Sequence, residues 1–260
     1  MDSRDNSSSV RKLLFDGSYI YVDTRDTSLA QHIVRDGYWE KWVTDAFLDV
    51  IQAGMTVLDI GAHCGYYTFL AAKKVGPRGY VYAFEPNPMH HATMNASLLE
   101  NGYHHATLMP VAVAATDGVA HLFIPDTLTG SASLHGSFDA KYKVKELAIR
   151  TVVLDHALPQ DCIPDVLKID IEGSEPYIMD GLFNVLDRCP SVTIFMEYSP
   201  AVWRSIGFDP LPILSRFEDA GFTFTRLIPS GGREMLSVID LVANTYPDYL
   251  DLMLERSVPK

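Results

Sequence analysis

A regular alternation of short apolar runs with helical patterns constrains the fold of this chain more than any other feature. The apolar runs are TVLDIG, YVYAFEP, ATLMPVAVA, VLKIDIEG and VTIFMEYSP. Apolar residues recur at helical spacing between and after them, and we predict helices over 66–75, 88–101, 176–186 and 210–220. Such units join through right-handed crossovers into a parallel sheet covered on both faces. The sequence therefore predicts a doubly wound α/β fold.

The last two predicted strands differ from this pattern. FTFTRLI and MLSVIDLVAN are separated by PSGGRE, which is too short for a crossover helix and rich in turn residues. These strands should therefore be antiparallel. The complete prediction is a mostly parallel, seven-stranded sheet with an antiparallel final hairpin.

The remaining segments flank or interrupt the sheet. LLFDGSYIYVD is predicted to form a hairpin, and TDAFLDVI a helix that follows it. We assign 1–53 to a tail, this hairpin flap and the helix, 54–245 to the main domain, and 246–260 to a C-terminal tail. An insertion at about 119–154 contains a loop rich in glycine and serine, and loops over the carboxyl ends of a sheet often hold substrate.

Charge, hydropathy and cysteine content exclude several classes of function. The formal net charge of -12 would repel phosphate backbones, so no nucleic-acid partner is expected. No run reaches the roughly 18 apolar residues that a membrane span requires. The first residues resemble neither a signal nor a transit peptide, and the cysteines are far apart, which suits reduced thiols. These features predict a cytoplasmic protein.

The run VLDIGAHCG predicts a ligand-binding turn between a strand and a helix. Gly61 and Gly65 would let the backbone approach a ligand closely, and the unpaired N–H groups of the helix start suit an anion. The dinucleotide pattern G-x-G-x-x-G fails, because its second and third glycines would fall on His63 and Tyr66. A nicotinamide dehydrogenase is therefore disfavoured.

Two acidic residues at strand ends add to this predicted site. Glu85 ends the second strand, where a carboxylate accepts hydrogen bonds from both ribose hydroxyls, and Pro86 and Asn87 continue the same turn. Asp59 could face the positive amino group of a bound amino acid. Together these acids favour a nucleoside with an amino-acid tail over one with a pyrophosphate. The alternatives are that Asp59 is only an exposed strand end and that Glu85 only begins a turn.

Three motifs resemble one known family. In chain order they are GYWEKWVTDAFLDVIQAGMTVLDIGAHCGYYTFLAA, FEPNP and VLKIDIEGSE, and the chain is similar over about 38–198 to FkbM-type methyltransferases. That family has the class I, Rossmann-like methyltransferase fold, whose parallel sheet ends in a reversed hairpin. It uses S-adenosylmethionine, commonly to methylate hydroxyls of sugars and secondary metabolites.

The resemblance implies roles for particular residues. It implies that Asp59, Gly61 and Gly65 shape the methionine end of the cofactor pocket and that Glu85 holds the ribose. It places Ala112 and Val113 near the adenine. The family usually has asparagine where this chain has His63, so either that role passes to His63 or His63 is a surface side chain. Glu40, before the first strand, is a further candidate for this pocket, and His90 is expected on a helix surface.

Three carboxylates should meet at the carboxyl edge of the sheet. Asp170 and Glu197 end the fourth and fifth predicted strands, and Glu172 follows in the loop. A protonated alcohol is a poor nucleophile, so a base or a metal should assist its methylation. Asp170 or Glu172 is one candidate base, and His135 of the insertion is another.

Two other interpretations of these acids remain open. Two or three of the carboxylates of Asp170, Glu172 and Glu197 could bind a divalent metal such as Mg²⁺, since hard cations prefer oxygen ligands. Alternatively, the acids only pair with neighbours or begin the next helix, which accounts for Glu175. Lys168 lies within the apolar strand and is predicted to pair with a carboxylate.

The main hypothesis is an S-adenosylmethionine-dependent O-methyltransferase acting on a hydroxyl of a sugar, glycoside or secondary metabolite. One alternative is a non-catalytic binding or scaffold protein with the same fold. Another is a methyltransferase acting on a nitrogen or carboxylate of a small molecule or peptide. Nucleic-acid amino methylation is disfavoured, because DIEG stands where an Asn/Asp-Pro-Pro-aromatic motif would be expected. The expected partner is a small hydroxylated molecule, and a homo-oligomer is left open.

Overall fold

The computed structural model describes residues 9–126, 129–136, 142–243 and 249–256. The helices are α1 (Leu29–Asp36), α2 (Lys41–Val50), α3 (Tyr66–Val75), α4 (Pro88–Asn101), α5 (Leu154–Ala157), α6 (Met179–Leu186), α7 (Pro200–Ser205), α8 (Pro210–Asp219) and α9 (Val238–Ala243). The strands are β1 (Ser9–Leu13), β2 (Tyr19–Asp23), β3 (Thr56–Ile60), β4 (Tyr80–Phe84), β5 (Ala106–Met109), β6 (Ala112–Val113), β7 (Gly118–Pro125), β8 (Val144–Val152), β9 (Val166–Ile169), β10 (Val192–Tyr198), β11 (Thr223–Leu227), β12 (Arg233–Leu236) and β13 (Leu250–Arg256). Short 3₁₀ turns lie at Gly76–Arg78, Thr129–Ser131 and Glu175–Ile178.

Eight of the described strands form the central sheet, in the order β12-β11-β13-β10-β9-β3-β4-β5. The strands from β10 to β5 pair in parallel, whereas β13 runs antiparallel to both β10 and β11, and β12 is antiparallel to β11. One apolar cluster packs α6 and α8 on one face of the sheet, and a second packs α2 and α3 on the other. The predicted α/β fold, mostly parallel with an antiparallel end, is confirmed.

The predicted antiparallel final hairpin is present as β11 and β12, but its second strand is shorter than expected, and the described sheet has eight strands instead of the predicted seven. FTFTRLI forms β11, but most of MLSVIDLVAN lies outside the sheet, with Val238–Ala243 forming α9. The strand between β10 and β11 is instead β13, in the segment that was assigned to a C-terminal tail over 246–260. Its Leu250, Leu252 and Leu254 are at most 3% exposed. A strand with neighbours on both edges and both faces covered belongs to the interior of a sheet.

The N-terminal segment forms the predicted hairpin, β1 with β2, and two helices instead of one. Gly37, at φ 79°, ends α1 in the left-handed conformation that glycine adopts without strain. Glu40, at φ 36°, then begins α2 in the left-handed region as well. The chain therefore turns sharply between the two helices, and the turn brings Glu40 toward the sheet edge.

The insertion forms a small antiparallel hairpin beside the main sheet. β7 pairs with β8, and β8 also pairs with β6 in parallel. The described part of the connecting loop returns to β7 at Ser133, whose backbone exchanges hydrogen bonds with Phe123. No helix within the described ranges is long and apolar enough to cross a membrane.

Candidate active site

Two adjoining clefts open at the carboxyl ends of the parallel strands. The inner cleft, between Gly61, Glu85 and Val113, has about 580 Å³ of empty volume. The outer cleft, between Trp39 and Glu197, has about 940 Å³. Both lie at the sheet edge where open α/β folds bind ligands. A few residues line both clefts: Gly61, His63, Gly130, Asp170 and Glu172.

Gly61 brings the ends of β3 and β9 together. Its φ is 87°, and a Cβ at this position would lie 1.9 Å from the carbonyl oxygen of Asp170. On the same side, the backbone N–H of Asp170 donates to the carbonyl of Ile60 at 2.9 Å. Only a residue without a side chain permits this approach, and the approach places Asp170 at the border of the two clefts.

Glu85 connects the turn after β3 to the end of β4. Its carboxylate accepts hydrogen bonds from the backbone N–H groups of His63, at 2.7 Å, and Asn87, at 2.6 Å. Glu85 is 6% exposed and lines the inner cleft, and burial raises its pKa to about 7. Because each carboxylate oxygen accepts more than one hydrogen bond, Glu85 retains capacity for ligand hydroxyls.

The other predicted cofactor residues divide into two groups. Pro86, Asn87, Ala112 and Val113 line the inner cleft, as expected. Asp59 does not line either cleft: it is 1% exposed, and the hydroxyl of Thr68 donates to its carboxylate at 2.5 Å.

Asp59 and Gly65 therefore lie behind the residues that line the inner cleft. Burial raises the pKa of Asp59 to about 6. Gly65 likewise lines neither cleft, and a Cβ on it would lie 2.6 Å from the ring of Phe69. The alternative of an exposed strand end for Asp59 was wrong, and its contact with a ligand stays a prediction.

Two histidines contribute to the wall of the inner cleft. His63, at φ 52°, and His90 have ring centroids 4.1 Å apart. Neither ring has a hydrogen-bond partner among the described residues, and burial lowers the pKa of both. His63 is not an exposed surface side chain. His90, expected on a helix surface, is fully buried, because the third position of α4 faces the end of β4.

The outer cleft is strongly acidic. Glu40, Asp170, Glu172 and Glu197 line it. Lys168 lies behind them, 3% exposed, and its ammonium donates to Asp170 at 2.7 Å, which confirms the predicted pairing. Burial alone would lower the pKa of Lys168, but the charges of Asp170 and Glu40 raise it overall.

Glu40 lines the outer cleft, not the cofactor pocket for which it was a candidate. It is 9% exposed, and its Oε2 has no hydrogen-bond partner among the described residues. The Tyr249 hydroxyl approaches its Oε1 at 3.4 Å. Burial and the charge of Asp251 raise the pKa of Glu40 to about 8. Sequence reasoning could not assign this residue, since its position depends on the left-handed turn before α2.

Glu172 and Glu197 are carboxyl groups with raised pKa values, whereas Glu175 stabilises the loop between β9 and the next helix. Burial, and then repulsion from Asp170, raises the pKa of Glu172 and of Glu197 well above the usual range. Glu175 lies beneath this loop, fully buried, and accepts hydrogen bonds from the Trp203 indole at 3.0 Å and from two backbone N–H groups. It holds the loop in place.

Two predicted roles are not supported by this geometry. His135 lines neither cleft, and its Nε2 lies 2.8 Å from the backbone carbonyl of Glu172, so it packs behind the loop instead of reaching a substrate as a base. Among the described residues, the group of three whose metal-ligand atoms lie within 4.8 Å of one another is Asp26, His63 and His90. The predicted trio of Asp170, Glu172 and Glu197 does not converge in that way.

Comparisons with known proteins agree with this architecture. Residues 59–224 match the model of the methyltransferase FkbM domain. The expected class I methyltransferase fold is thereby confirmed. Over 162 residues the chain is 23% identical to hexuronic acid methyltransferase AglP of Haloferax volcanii. The match covers 62% of this chain and 64% of that relative. The chain therefore spans less than two thirds of the length of this relative.

Two solved structures are similar to the chain at low identity. An S-adenosylmethionine-dependent methyltransferase from Aquifex aeolicus is 13% identical, with a TM-score of 0.45 over 88% of this chain and 94% of that one. A precorrin-6y C5,15-methyltransferase from Geobacter metallireducens is 15% identical, with a TM-score of 0.44 over 83% and 87%.

Proposed function

This chain belongs to the FkbM methyltransferase family, and on that premise we propose that it transfers a methyl group from S-adenosylmethionine to a hydroxyl of a small acceptor. The observation that carries this proposal is the pair of adjoining clefts that share Gly61, Asp170 and Glu172. The inner cleft suits a nucleoside with an amino-acid tail, and the outer cleft is open to an acceptor. The relative named for a hexuronic acid supports a sugar or glycoside as acceptor, with other secondary metabolites as the wider class.

The residues of the inner cleft fit this cofactor. Glu85 would accept hydrogen bonds from the ribose hydroxyls, and Ala112 and Val113 would contact the adenine. At the methionine end, the Gly61 turn permits close backbone approach, and the ring of His63 lines the cleft with its Nε2 3.4 Å from the carboxylate of Asp26. When bound, the cofactor supplies an electrophilic methyl group on a sulfonium.

The remaining task of the protein is to align the hydroxyl and to accept its proton. Holding two reactants in line is worth about 7–11 kcal/mol. We assign proton acceptance to Asp170 or Glu172, because both line both clefts. Lys168 fixes one oxygen of Asp170 at 2.7 Å and so orients this carboxylate. Glu197 lines the outer cleft and would bind the acceptor.

A divalent metal such as Mg²⁺ could also promote loss of the proton from the acceptor hydroxyl. It would be held by Asp170, Glu172 and Glu197. The carboxylates are of the type that hard cations bind. In the described part of the structure, however, their oxygens do not group within 4.8 Å of one another. We therefore favour the acid–base route.

Cofactor binding is tested by titration calorimetry with S-adenosylmethionine and with S-adenosylhomocysteine. We expect both to bind the wild-type protein, and Glu85→Ala to weaken binding at least tenfold, which corresponds to ~1.4 kcal/mol. Glu218→Ala, at an exposed position of α8, is the matched control. No binding to the wild type, or equal binding to Glu85→Ala, would contradict the proposal.

The catalytic assignment is tested by turnover of a confirmed acceptor. Removal of a general base typically costs about 10²–10⁴ in rate. We expect Asp170→Asn or Glu172→Gln to lose turnover in this range while affinity for S-adenosylhomocysteine stays unchanged. Wild-type turnover in both variants would remove these residues from the mechanism. Cofactor binding without turnover of any acceptor would favour a scaffold role.

A further inference from the structure

Acidic side chains outnumber basic ones in the lining of the outer cleft. Four carboxylates line it, from Glu40, Asp170, Glu172 and Glu197, and none of the described lining residues is a lysine or an arginine. A fifth carboxylate, of Asp251, lies nearby and accepts a hydrogen bond from the Trp42 indole at 2.8 Å. The cation beside them is Lys168, which is already engaged by Asp170.

Glu40 gives an independent indication that the outer cleft takes a ligand. The residue is 91% buried, being 9% exposed, and its Oε2 has no hydrogen-bond partner among the described residues. A buried carboxylate oxygen without a hydrogen-bond donor is costly, and more so when the group is charged. Since Glu40 lines the outer cleft, a positively charged ligand there would lower the cost of its buried carboxylate by electrostatic attraction.

The electrostatics specify the kind of donor. Burial and mutual repulsion raise the pKa of Glu40, Glu172 and Glu197 together. Carboxylates in this condition take up protons unless a positive charge stands among them. An ammonium group supplies both the charge and three donors, whereas a carboxylate on the acceptor would add to the repulsion.

The cleft also offers aromatic surface. Trp39 and Tyr249 line it, the latter with its hydroxyl directed at Glu40. The face of an indole or a phenol ring attracts cations and packs against apolar faces of a small ring. An acceptor that combines a ring with a cation fits this lining better than a flexible polyanion does.

We propose that the acceptor of this protein carries a protonated amine close to the hydroxyl that receives the methyl group, as in an amino sugar or a basic glycoside, with Glu40 and Glu197 holding the amine. This inference rests on the proposed methyl transfer and narrows its substrate class. In the transfer the oxygen–carbon bond forms as the sulfur–carbon bond breaks. The hydroxyl proton passes to Asp170 or Glu172, and the amine keeps its own proton.

The test compares three glycosides that differ in one group. Methyl glucosaminide carries an amine, methyl glucoside a hydroxyl and methyl glucuronide a carboxylate, and the binding of each is measured by ligand-observed NMR with saturating S-adenosylhomocysteine and EDTA present. We expect the amine to bind at least tenfold more tightly than the neutral glycoside, and the carboxylate to bind most weakly. Equal or inverted ranking overturns the proposal, and so does absence of binding by the amine.

Variants separate this inference from the proposed function. We expect Glu197→Gln and Glu40→Gln to reduce the preference for the amine to within about threefold, while S-adenosylhomocysteine binds each variant as it binds the wild type. Glu218→Gln is the control and should keep the full preference. If cofactor binding is intact but these variants retain the preference, the assignment of the amine to Glu40 and Glu197 is overturned, whereas the proposed methyl transfer stands.

A further set of titrations tests whether a metal ion, and not an amine, supplies the positive charge in the outer cleft. The titrations are repeated with Mg²⁺ in place of EDTA. The proposal expects the preference for the amine to persist. If Mg²⁺ instead makes the neutral glycoside bind as tightly as the amine, the metal supplies the positive charge in the cleft and the proposal fails.

Discussion

Gly61 shows how one residue sets the distance between the two halves of the site. A Cβ there would lie 1.9 Å from the carbonyl oxygen of Asp170, well inside contact distance, and φ is 87°. We predict that Gly61→Ala separates the ends of β3 and β9, lowers the free energy of unfolding by more than ~3 kcal/mol and abolishes cofactor binding. Urea unfolding and calorimetry with S-adenosylhomocysteine measure both effects.

Gly54 provides the matched control for this prediction. It has the same left-handed conformation, at φ 90°, but no atom lies within 4 Å of the position that a Cβ would occupy. Gly54→Ala should therefore cost only the conformational strain, about 1–2 kcal/mol, and leave cofactor binding intact. Similar losses in the two variants would show that backbone strain, and not contact with Asp170, explains the glycine at position 61.

Asp59 should make stability depend on pH. Burial raises its pKa in the folded state from 3.8 to about 6. Its contribution to stability is therefore complete below pH 3.8 and is lost as the pH rises through about 6, a change of ~3 kcal/mol. In Asp59→Asn this loss is absent, so the variant should gain ~3 kcal/mol relative to the wild type between pH 4 and pH 7.

Urea unfolding across this pH range measures the difference. Asp219→Asn, at an exposed position, should follow the wild type at every pH. A constant difference between Asp59→Asn and the wild type would mean that Asp59 is charged throughout, held so by the hydroxyl of Thr68.

Residue positions were predictable from the sequence where a strand end fixes them. Glu85, Asp170 and Glu197 end or follow parallel strands, whose carboxyl ends meet at one edge, and all three line a cleft. Asp59, which was expected in the cofactor pocket, does not line the inner cleft, because side chains alternate along a strand. Ile60 faces this cleft, so Asp59 faces Thr68. The position of Glu40 depends on the left-handed turn before α2, and the residues around this turn do not predict it.

At the scale of elements, Asn101 docks the N-terminal hairpin on the main domain. Its side chain accepts a hydrogen bond from the backbone N–H of Tyr19 at 2.8 Å and donates to the carbonyl of the same residue at 2.6 Å. A neighbouring contact joins the N–H of Tyr21 to Ser97 on the same helix, also at 2.8 Å. Side chains of α4 thus form hydrogen bonds with the backbone of β2 and hold the hairpin against the main domain.

We predict that Asn101→Ala releases the hairpin without unfolding the sheet. Loss of this partly buried pair of hydrogen bonds costs about 1–3 kcal/mol, so exchange of the Tyr19 and Tyr21 amides should accelerate about tenfold to hundredfold. Hydrogen exchange followed by mass spectrometry measures this. Asn95→Ala, on the exposed side of α4, is the control. Acceleration at Tyr19 alone, with Tyr21 unchanged, would contradict docking of the hairpin as a unit.

Elements differed in how well the sequence predicted them. α3 and α4 have the predicted bounds, because a glycine turn precedes one and Asn87 with Pro88 begins the other. The final strand was missed because MLSVIDLVAN and YLDLMLER are both apolar enough for a strand, and local pattern does not decide which one the sheet takes up. That choice depends on pairing with β10 and β11, which are distant in sequence.

At the scale of the whole molecule, β13 joins the parallel half of the sheet to the antiparallel end. It pairs with β10 along Val192–Tyr198 and with β11 along Thr223–Leu227. Without β13, the backbone groups of two other strands would lose their partners at once. Arg256 at its end also donates to the carbonyls of Leu186 and Cys189, both at 2.5 Å, which ties the strand to the end of α6.

We therefore predict that a chain ending after Tyr249 does not fold. Leu250, Leu252, Met253 and Leu254 are at most 3% exposed. Burying each is worth about 1.5–3 kcal/mol, so their sum is comparable to the roughly 5–15 kcal/mol that stabilises a typical domain. A chain ending after Arg256 keeps all of β13 and is the control, and Leu252→Ala, which costs about 2–5 kcal/mol, should lie between the two. Size-exclusion chromatography and thermal unfolding with and without S-adenosylhomocysteine measure the outcome. A cooperative transition that the ligand shifts upward in the shorter chain would show that the parallel strands and α6 hold the site by themselves.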